Sequence, residues 1–387
     1  MQIVETFAPP SPQEMADRLQ KVQRLLEEAG LAAHVTADVD NILWLTNFAN
    51  FVHERPFILV IPAQGAPRFV VPRLELDHVE VRHVGPLEVF AYAEYPAPPG
   101  RTWADRLAEA LPRAGRIGAD SRLPTVFFNA LGGRGKLCDP VEKAREVKSP
   151  YELGRIAYGC RLKSEAHDRL LREAHPGMGQ ATINATIGRE VMARMVADNP
   201  NVNPYAVKIM TLIQNADVSH DPHNFTDLDM KMKEGGPHVT VFNSVLNGYG
   251  AEVERTFFLN RVPEAARRPF ETMLEARRIV MEGMRPGRTL EDVDEAAAAH
   301  FRKAGLGDGV IHRAGHGMGV TAHEGPYIAR GDRTVIQPGM VFSVEPGIYL
   351  PGVGGFRFSD TVVVTEDGLH RLTWGPETLE DLTLTGR

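Results

Sequence analysis

The first regular element is written in its spacing. Met15, Leu19, Val22, Leu25 and Leu26 recur at helical intervals, and Gly30 ends the run. Ser11-Pro12-Gln13-Glu14 ahead of them has capping-box spacing, with Pro at the first helical position. Short apolar segments follow at Ile42–Leu45, Phe57–Pro62, Phe69–Pro72 and Leu87–Ala93, and each reads as a strand. A helix over Trp103–Leu111 leads into Arg116-Ile117-Gly118-Ala119-Asp120. Strands alternating with helices predict an α/β domain of about 140 residues.

A second capping box, Ser149-Pro150-Tyr151-Glu152, opens a long helix reaching to Ala174. The domain boundary is placed just before it, giving residues 1–145 and 146–387. Two helix pairs then appear, each followed by strands. Similar words introduce the second helix of each pair. His175-Pro176-Gly177 precedes Ile183, Ile187 and Val191, and Arg285-Pro286-Gly287 precedes Leu290, Val293 and Ala297. Strands are expected over Val207–Ile213, His238–Asn243, Ala251–Leu259, Val341–Glu345 and Thr361–Thr365. The pattern reads as an internal duplication, two α+β halves with a strand-borne site between them.

Composition narrows the class of protein. The length of 387 residues suits two domains. Apolar residues at 43% and charged residues at 24% exclude a largely disordered chain. The 43 basic and 50 acidic residues leave a net charge of −7 with no basic block, which argues against nucleic acid or an anionic membrane as partner. No apolar run approaches the ~20 residues of a membrane span. Met1 to Pro12 lacks the basic and apolar regions of a signal peptide, and the two cysteines, Cys138 and Cys160, make no disulfide framework, so a cytoplasmic location is expected. Gly132-Gly133-Arg134-Gly135-Lys136 lacks phosphate-loop spacing and reads as a turn.

Four segments of the second domain carry candidate chemistry. They are Asp221-Pro222-His223-Asn224; Asn247 to Thr256, containing Glu252 and Glu254; Gly315-His316-Gly317 through His323-Glu324-Gly325-Pro326; and Ser343-Val344-Glu345 through Arg357-Phe358-Ser359-Asp360. Histidines and carboxylates on glycine-flanked strands let a ligand approach the backbone closely.

In this order, these segments resemble the pita-bread superfamily of prolidases, Xaa-Pro aminopeptidases, methionine aminopeptidases and creatinase. The resemblance covers nearly the whole chain. It implies an α/β N-terminal domain of the creatinase/prolidase type and an α+β pita-bread catalytic domain with an internal pseudo-twofold duplication. The family's metallopeptidases hold two divalent ions, and those ligand positions fall on Asn243, Glu252, His316, Glu345 and Ser359. Only His316 and Glu345 are the expected residue types. Two divalent ions carry four positive charges, whereas this set supplies at most two negative ones, and hard ions want anionic oxygen. No metal is therefore expected. The alternative is a single Mn, Co, Fe or Zn ion on Glu252, His316 and Glu345.

Creatinase implies a metal-free route. Its catalytic His-Asn dipeptide matches His223-Asn224, and its Glu-Arg-Thr matches Glu254-Arg255-Thr256. A neutral His can take a proton from water and return it to a leaving nitrogen. The catalytic candidates are His223, Glu252, His316, His323 and Glu345, and the substrate-binding candidates are Arg55, Glu254, Arg357 and Phe358. Arg55 is reached by counting from Trp44-Leu45-Thr46-Asn47 to Ile58-Leu59-Val60-Ile61, and in creatinase that position serves the other subunit's site, which implies a homodimer. The leading expectation is a metal-independent hydrolase cleaving a C–N bond in a small carboxylate-bearing substrate. One rival is an Xaa-Pro dipeptidase or aminopeptidase with a single altered metal site, acting on a dipeptide-like substrate. The other is a catalytically inactive binding homologue.

Overall fold

The computed structural model describes residues 3–51, 53–224 and 227–386. The chain divides into two compact units. One is Ala8–Arg145; the other runs from Glu146 to the C-terminus and includes the N-terminal stretch up to Phe7.

The first unit is built on a mixed six-stranded sheet. Its strands are β1 (Ala33–Thr36), β2 (Ile58–Pro62), β3 (Arg68–Pro72), β4 (Glu88–Tyr92), β5 (Ile117–Ala119) and β6 (Gly135–Leu137), in the spatial order β4-β3-β2-β1-β5-β6. Helices α1 (Pro12–Glu28), α2 (Val39–Thr46), α3 (Leu76–Arg82), α4 (Trp103–Ala110), α5 (Thr125–Ala130) and α6 (Pro140–Arg145) connect and cover it. Ser11 caps α1 as expected, its hydroxyl accepting from the Glu14 amide. The core joins Val35, Ile58, Val60, Val70 and Ile117 of the sheet to Leu107 of α4.

Ile42–Leu45 is a correction. It lies in α2 and not in a strand. Asp38 accepts from the amides of Asp40 and Asn41 to start a helix there, and Asn47, at φ 61°, ends it in the left-handed region. A run of four apolar residues fits either period, so the caps decide.

The second unit opens with α7 (Pro150–Glu173), closed at its start by the reciprocal Ser149–Glu152 capping box. There follow α8 (Gln180–Ile183), α9 (Arg189–Asp198), strands β7 (Lys208–Ile209), β8 (Leu212–Gln214), β9 (Gly235–Val241), β10 (Asn243–Leu246), β11 (Tyr249–Glu254) and β12 (Thr256–Leu259), and helices α10 (Glu264–Gly283) and α11 (Leu290–Lys303). The rest is strand: β13 (Gly315–Gly317), β14 (Glu324–Ile328), β15 (Val341–Val344), β16 (Gly347–Leu350), β17 (Gly354–Arg357), β18 (Ser359–Thr365), β19 (Gly368–Arg371) and β20 (Thr383–Leu384). The main sheet is ordered β14-β13-β15-β18-β11-β10-β7, with β19 also on β18, and its strands β7, β10 and β11 line a cavity of the unit. Smaller sheets β20-β12-β9-β8 and β16-β17 accompany it.

The duplication is visible in matching hydrogen bonds. Gly177 and Gly287 both sit at φ 89°, open to few residues other than glycine. The Gly177 amide donates to the Met232 carbonyl, and the Gly287 amide to that of Ile336. Gln180 and Leu290, three residues on in each half, donate to Met230 and Thr334, each two residues earlier. This is the α+β pita-bread architecture with its two related halves. The single strand expected over Ala251–Leu259 is broken at Arg255, whose buried guanidinium pairs with Asp360 at 3.1 Å.

Candidate functional site

Strand pairing gathers the candidate residues. Asn243 on β10 stands opposite Glu252 on β11, Glu254 opposite Ser359 on β18, and His316 on β13 opposite Ser343 on β15. Because side chains alternate along a strand, Glu252 and Glu254 share one face. That face lines a cavity of about 820 Å³ together with Asn243, His223, His323, Glu345 and Arg357.

The Glu252 carboxylate is heavily hydrogen-bonded. Oε1 accepts from Ser343 Oγ at 2.6 Å and from Ser359 Oγ, and Oε2 accepts from the Asn243 amide at 2.5 Å. Burial pushes its pKa up, but His316 and the two serine hydroxyls outweigh burial and hold it below the usual range.

His316 is fully buried. Its Nδ1 lies 3.0 Å from the Gly317 carbonyl oxygen, which can only accept, so Nδ1 carries the proton and Nε2 offers a lone pair. Nε2 lies 3.7 Å from Glu252 Oε2 and 3.4 Å from Glu345 Oε1, yet has no hydrogen-bond partner. Burial lowers the pKa of His316. Burial, then the neighbouring Glu252, raises that of Glu345 to about 8. His323 lines the cavity and stacks on His316, and its partial burial there lowers its pKa to about 4. An uncharged imidazole nitrogen between carboxylates is an arrangement that a cation would satisfy.

Donor chemistry tests what cation fits. Single ligand atoms of Glu252, His316 and His323 lie within 4.8 Å of one another, as do those of Glu252, Glu254 and Glu345. Two carboxylates and one or two imidazoles suit one borderline divalent ion. They do not suit two. Asn243 and Ser359 are neutral, and the Asn243 side-chain nitrogen and the Ser359 hydroxyl donate to Glu252.

Glu254 is buried and bonded to Arg357 Nε at 2.5 Å, and burial raises its pKa to about 8 against the pull of that arginine. Arg357 also donates to the Tyr349 hydroxyl at 2.8 Å, which lies 2.8 Å from His312 Nε2. His223 is exposed and lines the same cavity. Arg55 lies in the other unit, with Nε on Glu94 at 2.8 Å and Nη1 on Glu54 at 2.5 Å.

Phe358 is a second correction. It is fully buried in the hydrophobic core and does not line the cavity. Its ring packs edge-on against Phe270 at 5.6 Å and under the Arg255 guanidinium at 4.8 Å. Strand alternation turns Arg357 to the cavity and its neighbour to the core.

Two residues escaped the sequence reading. Arg313 lines the cavity with its Nε buried and without a hydrogen-bond partner. Its position three residues before His316 was the only available signal. Lys163 is fully buried in α7, its ammonium 2.7 Å from the Met210 carbonyl oxygen and 4.4 Å from the Phe242 ring centroid. No strand motif marks it.

Residues 154–366 match the model of metallopeptidase family M24. The chain belongs to that family. Residues 18–147 match the creatinase/prolidase N-terminal domain. This M24 chain is 32% identical to the Xaa-Pro dipeptidase of Pyrococcus furiosus, over 93% of its own length and 98% of the relative's. It is 31% identical to the probable dipeptidase PepE of Mycobacterium tuberculosis, over 91% and 92%. The crystal structure of the dipeptidase PepE from Mycobacterium ulcerans superposes with a TM-score of 0.80 at 27% identity, covering 98% of the M24 chain and all of that structure. These likenesses fit the alternative of an Xaa-Pro peptidase-type hydrolase, and nothing in them supports the leading expectation of a metal-independent enzyme. No helix among the described residues is long and apolar enough to cross a membrane.

Proposed function

We propose that the chain hydrolyses the C–N bond of a dipeptide-sized, carboxylate-bearing substrate with a single divalent ion held by Glu252, His316 and Glu345. One observation carries the proposal: the buried His316 Nε2 faces two carboxylates and has no hydrogen-bond partner. The two carboxylates match the charge of one ion, of the Mn, Co, Fe or Zn type that accepts imidazole with carboxylate. Such an ion would supply Lewis acidity toward the scissile carbonyl.

The remaining roles belong to the protein. Arg313 offers N–H groups to the substrate carboxylate. Arg357, fixed by Glu254 and Tyr349, also lines the cavity. His323 is neutral near pH 7 and can accept a proton at a ring nitrogen. His223 faces the cavity and can return a proton to the leaving amine. The protein is read as a cytoplasmic homodimer in which Arg55 serves the partner's site, and a monomeric solution mass would overturn that part.

A second reading has an observation of its own. Glu252 Oε1 already accepts two hydrogen bonds and Oε2 one, which leaves little room for a ligand bond. On that reading no metal binds and His223 is the general base. Elemental analysis after dialysis, with turnover of Xaa-Pro and other dipeptides by His316→Ala and His223→Ala, separates the readings. The proposal expects one equivalent of metal, lost with His316→Ala along with activity. Metal-free enzyme that works until His223 is replaced would establish the second. Absence of turnover on every peptide, with ligand binding retained, would leave an inactive binding homologue. Two equivalents of metal lost together with His316→Ala would refute both.

A further inference from the structure

The N-terminal unit holds a separate cavity of about 330 Å³, lined among others by Asp38, Asn50, Asp120, Arg122 and Glu142. Three buried oxygens of its lining residues have no hydrogen-bond partner: Asn50 Oδ1, Asp120 Oδ2 and Glu142 Oε2. Asp120 is 3% exposed and Asn50 is 8% exposed. Buried acceptors are normally paired, because an unpaired one costs about 1–3 kcal/mol. Three around one cavity therefore require a common explanation.

The second carboxylate oxygens of Asp120 and Glu142 are already paired. Asp120 Oδ1 is held by His34 Nε2 at 2.6 Å, and Glu142 Oε1 accepts from the Asn41 amide at 2.9 Å. Asp139, next to α6, accepts from the Ser121 amide at 2.8 Å and the Ser121 hydroxyl at 2.5 Å. Carboxylate oxygens of Asp120, Asp139 and Glu142 come within 4.8 Å of one another. Two basic groups stand beside the cluster, His34 paired with Asp120 and Arg145 whose charge acts on Glu142. His34 is spent on Asp120 and lies 4.0 Å from the Cys138 sulfur, Arg55 binds Glu54 and Glu94, Arg145 reaches Asn41 at 2.7 Å, and Arg122 is exposed. What the cluster offers is oxygen alone.

We propose that this unit binds a hard divalent cation of the calcium, magnesium or manganese type between Asp120, Asp139 and Glu142, with the Asn50 carbonyl oxygen facing the same cavity. Oxygen-only donors with two or three negative charges select such ions over zinc. The ion ties the end of β5, where Asp120 sits, to α6, which carries Glu142. Its role is to fasten the unit, independent of the chemistry at His316.

Calcium is the discriminating probe, because the imidazole-containing site in the other unit disfavours it. The measurement is calcium binding by titration calorimetry on the full chain, with thermal unfolding alongside and magnesium and manganese as competitors. Wild type and His316→Ala should each bind one calcium and unfold at higher temperature with it. Glu142→Gln and Asp120→Asn should weaken binding by at least about tenfold through loss of one ligand charge. Glu142→Gln keeps an oxygen for the Asn41 contact, so one variant remains folded even if loss of the His34 partner harms the other. Absence of stoichiometric calcium or manganese in wild type beyond the His316 site would overturn the proposal. So would calcium binding unchanged by both variants.

Discussion

The His316 and His323 rings stack face to face, with centroids 3.8 Å apart and planes 21° from parallel. Two imidazolium ions could not sit so closely, and burial lowers the pKa of both. The pair is therefore a wall of neutral nitrogen facing Glu252 and Glu345. The proton at the site resides on Glu345, which is raised to about 8, while Glu252 is held ionised.

That distribution fixes the pH dependence of metal uptake. An ion on Glu345 must displace its proton, whereas neutral His316 has none to lose at Nε2. Affinity for manganese or zinc should tighten as pH rises from 6 to 8 and level off above the Glu345 value. Calorimetry in buffers of different ionisation enthalpy should show proton release near pH 7. Affinity that is flat over this range would show that Glu345 is not a ligand.

Arg313 makes a prediction about substrate. Its buried Nε lacks a partner and its side chain lines the cavity. A charge-assisted bond to a carboxylate is worth about 1.5–3 kcal/mol, so Arg313→Gln should raise KM on dipeptides by roughly ten- to a hundredfold. Substrates with an amidated C-terminus should lose the discrimination between the two enzymes. Equal penalties on free and amidated peptides would remove Arg313 from carboxylate recognition.

Phe358 separates packing from binding. Phe358→Ala should cost about 3–5 kcal/mol of stability by opening a core cavity, and leave KM close to wild type. Urea denaturation and steady-state kinetics measure the two. A raised KM with unchanged stability would restore its place among substrate contacts.

These residues also show what the amino-acid pattern can and cannot reveal. The strand motifs located His223, Glu252, Glu254, His323, Glu345 and Arg357 around one cavity, with His316 buried against His323 and Glu345, because period-two alternation and glycine flanks are local properties. The same alternation, applied strictly, would have sent Phe358 to the core. Ile42–Leu45 went wrong because its caps lie outside the apolar run. Arg313 and Lys163 belong to the site's surroundings through tertiary packing of α7 and the β13 approach, and no local period encodes that. The orphaned oxygens of Asp120 and Glu142 are likewise brought together by the fold of the first unit, from positions separated along the chain.

Lys163 yields the last prediction. Burial lowers its pKa to about 7, and the pull of Glu254 and Glu252 only partly opposes this. In the unfolded chain the same group titrates near 10.4. Below about pH 7 both states hold the proton, and the desolvation penalty is present in full. Between about 7 and 10 the unfolded chain holds a proton that the folded protein has released. Stability contributed at this position must therefore rise with pH across that window. Lys163→Met keeps the length and the contact with Phe242 and abolishes the titration. It also strands the Met210 carbonyl, but that cost does not depend on pH. The difference in unfolding free energy, wild type minus Lys163→Met, should climb from pH 7 to pH 10, as read from urea midpoints at each pH. Parallel pH profiles for the two proteins would mean that Lys163 keeps its proton throughout, as a permanent buried ammonium beside the carboxylate cluster.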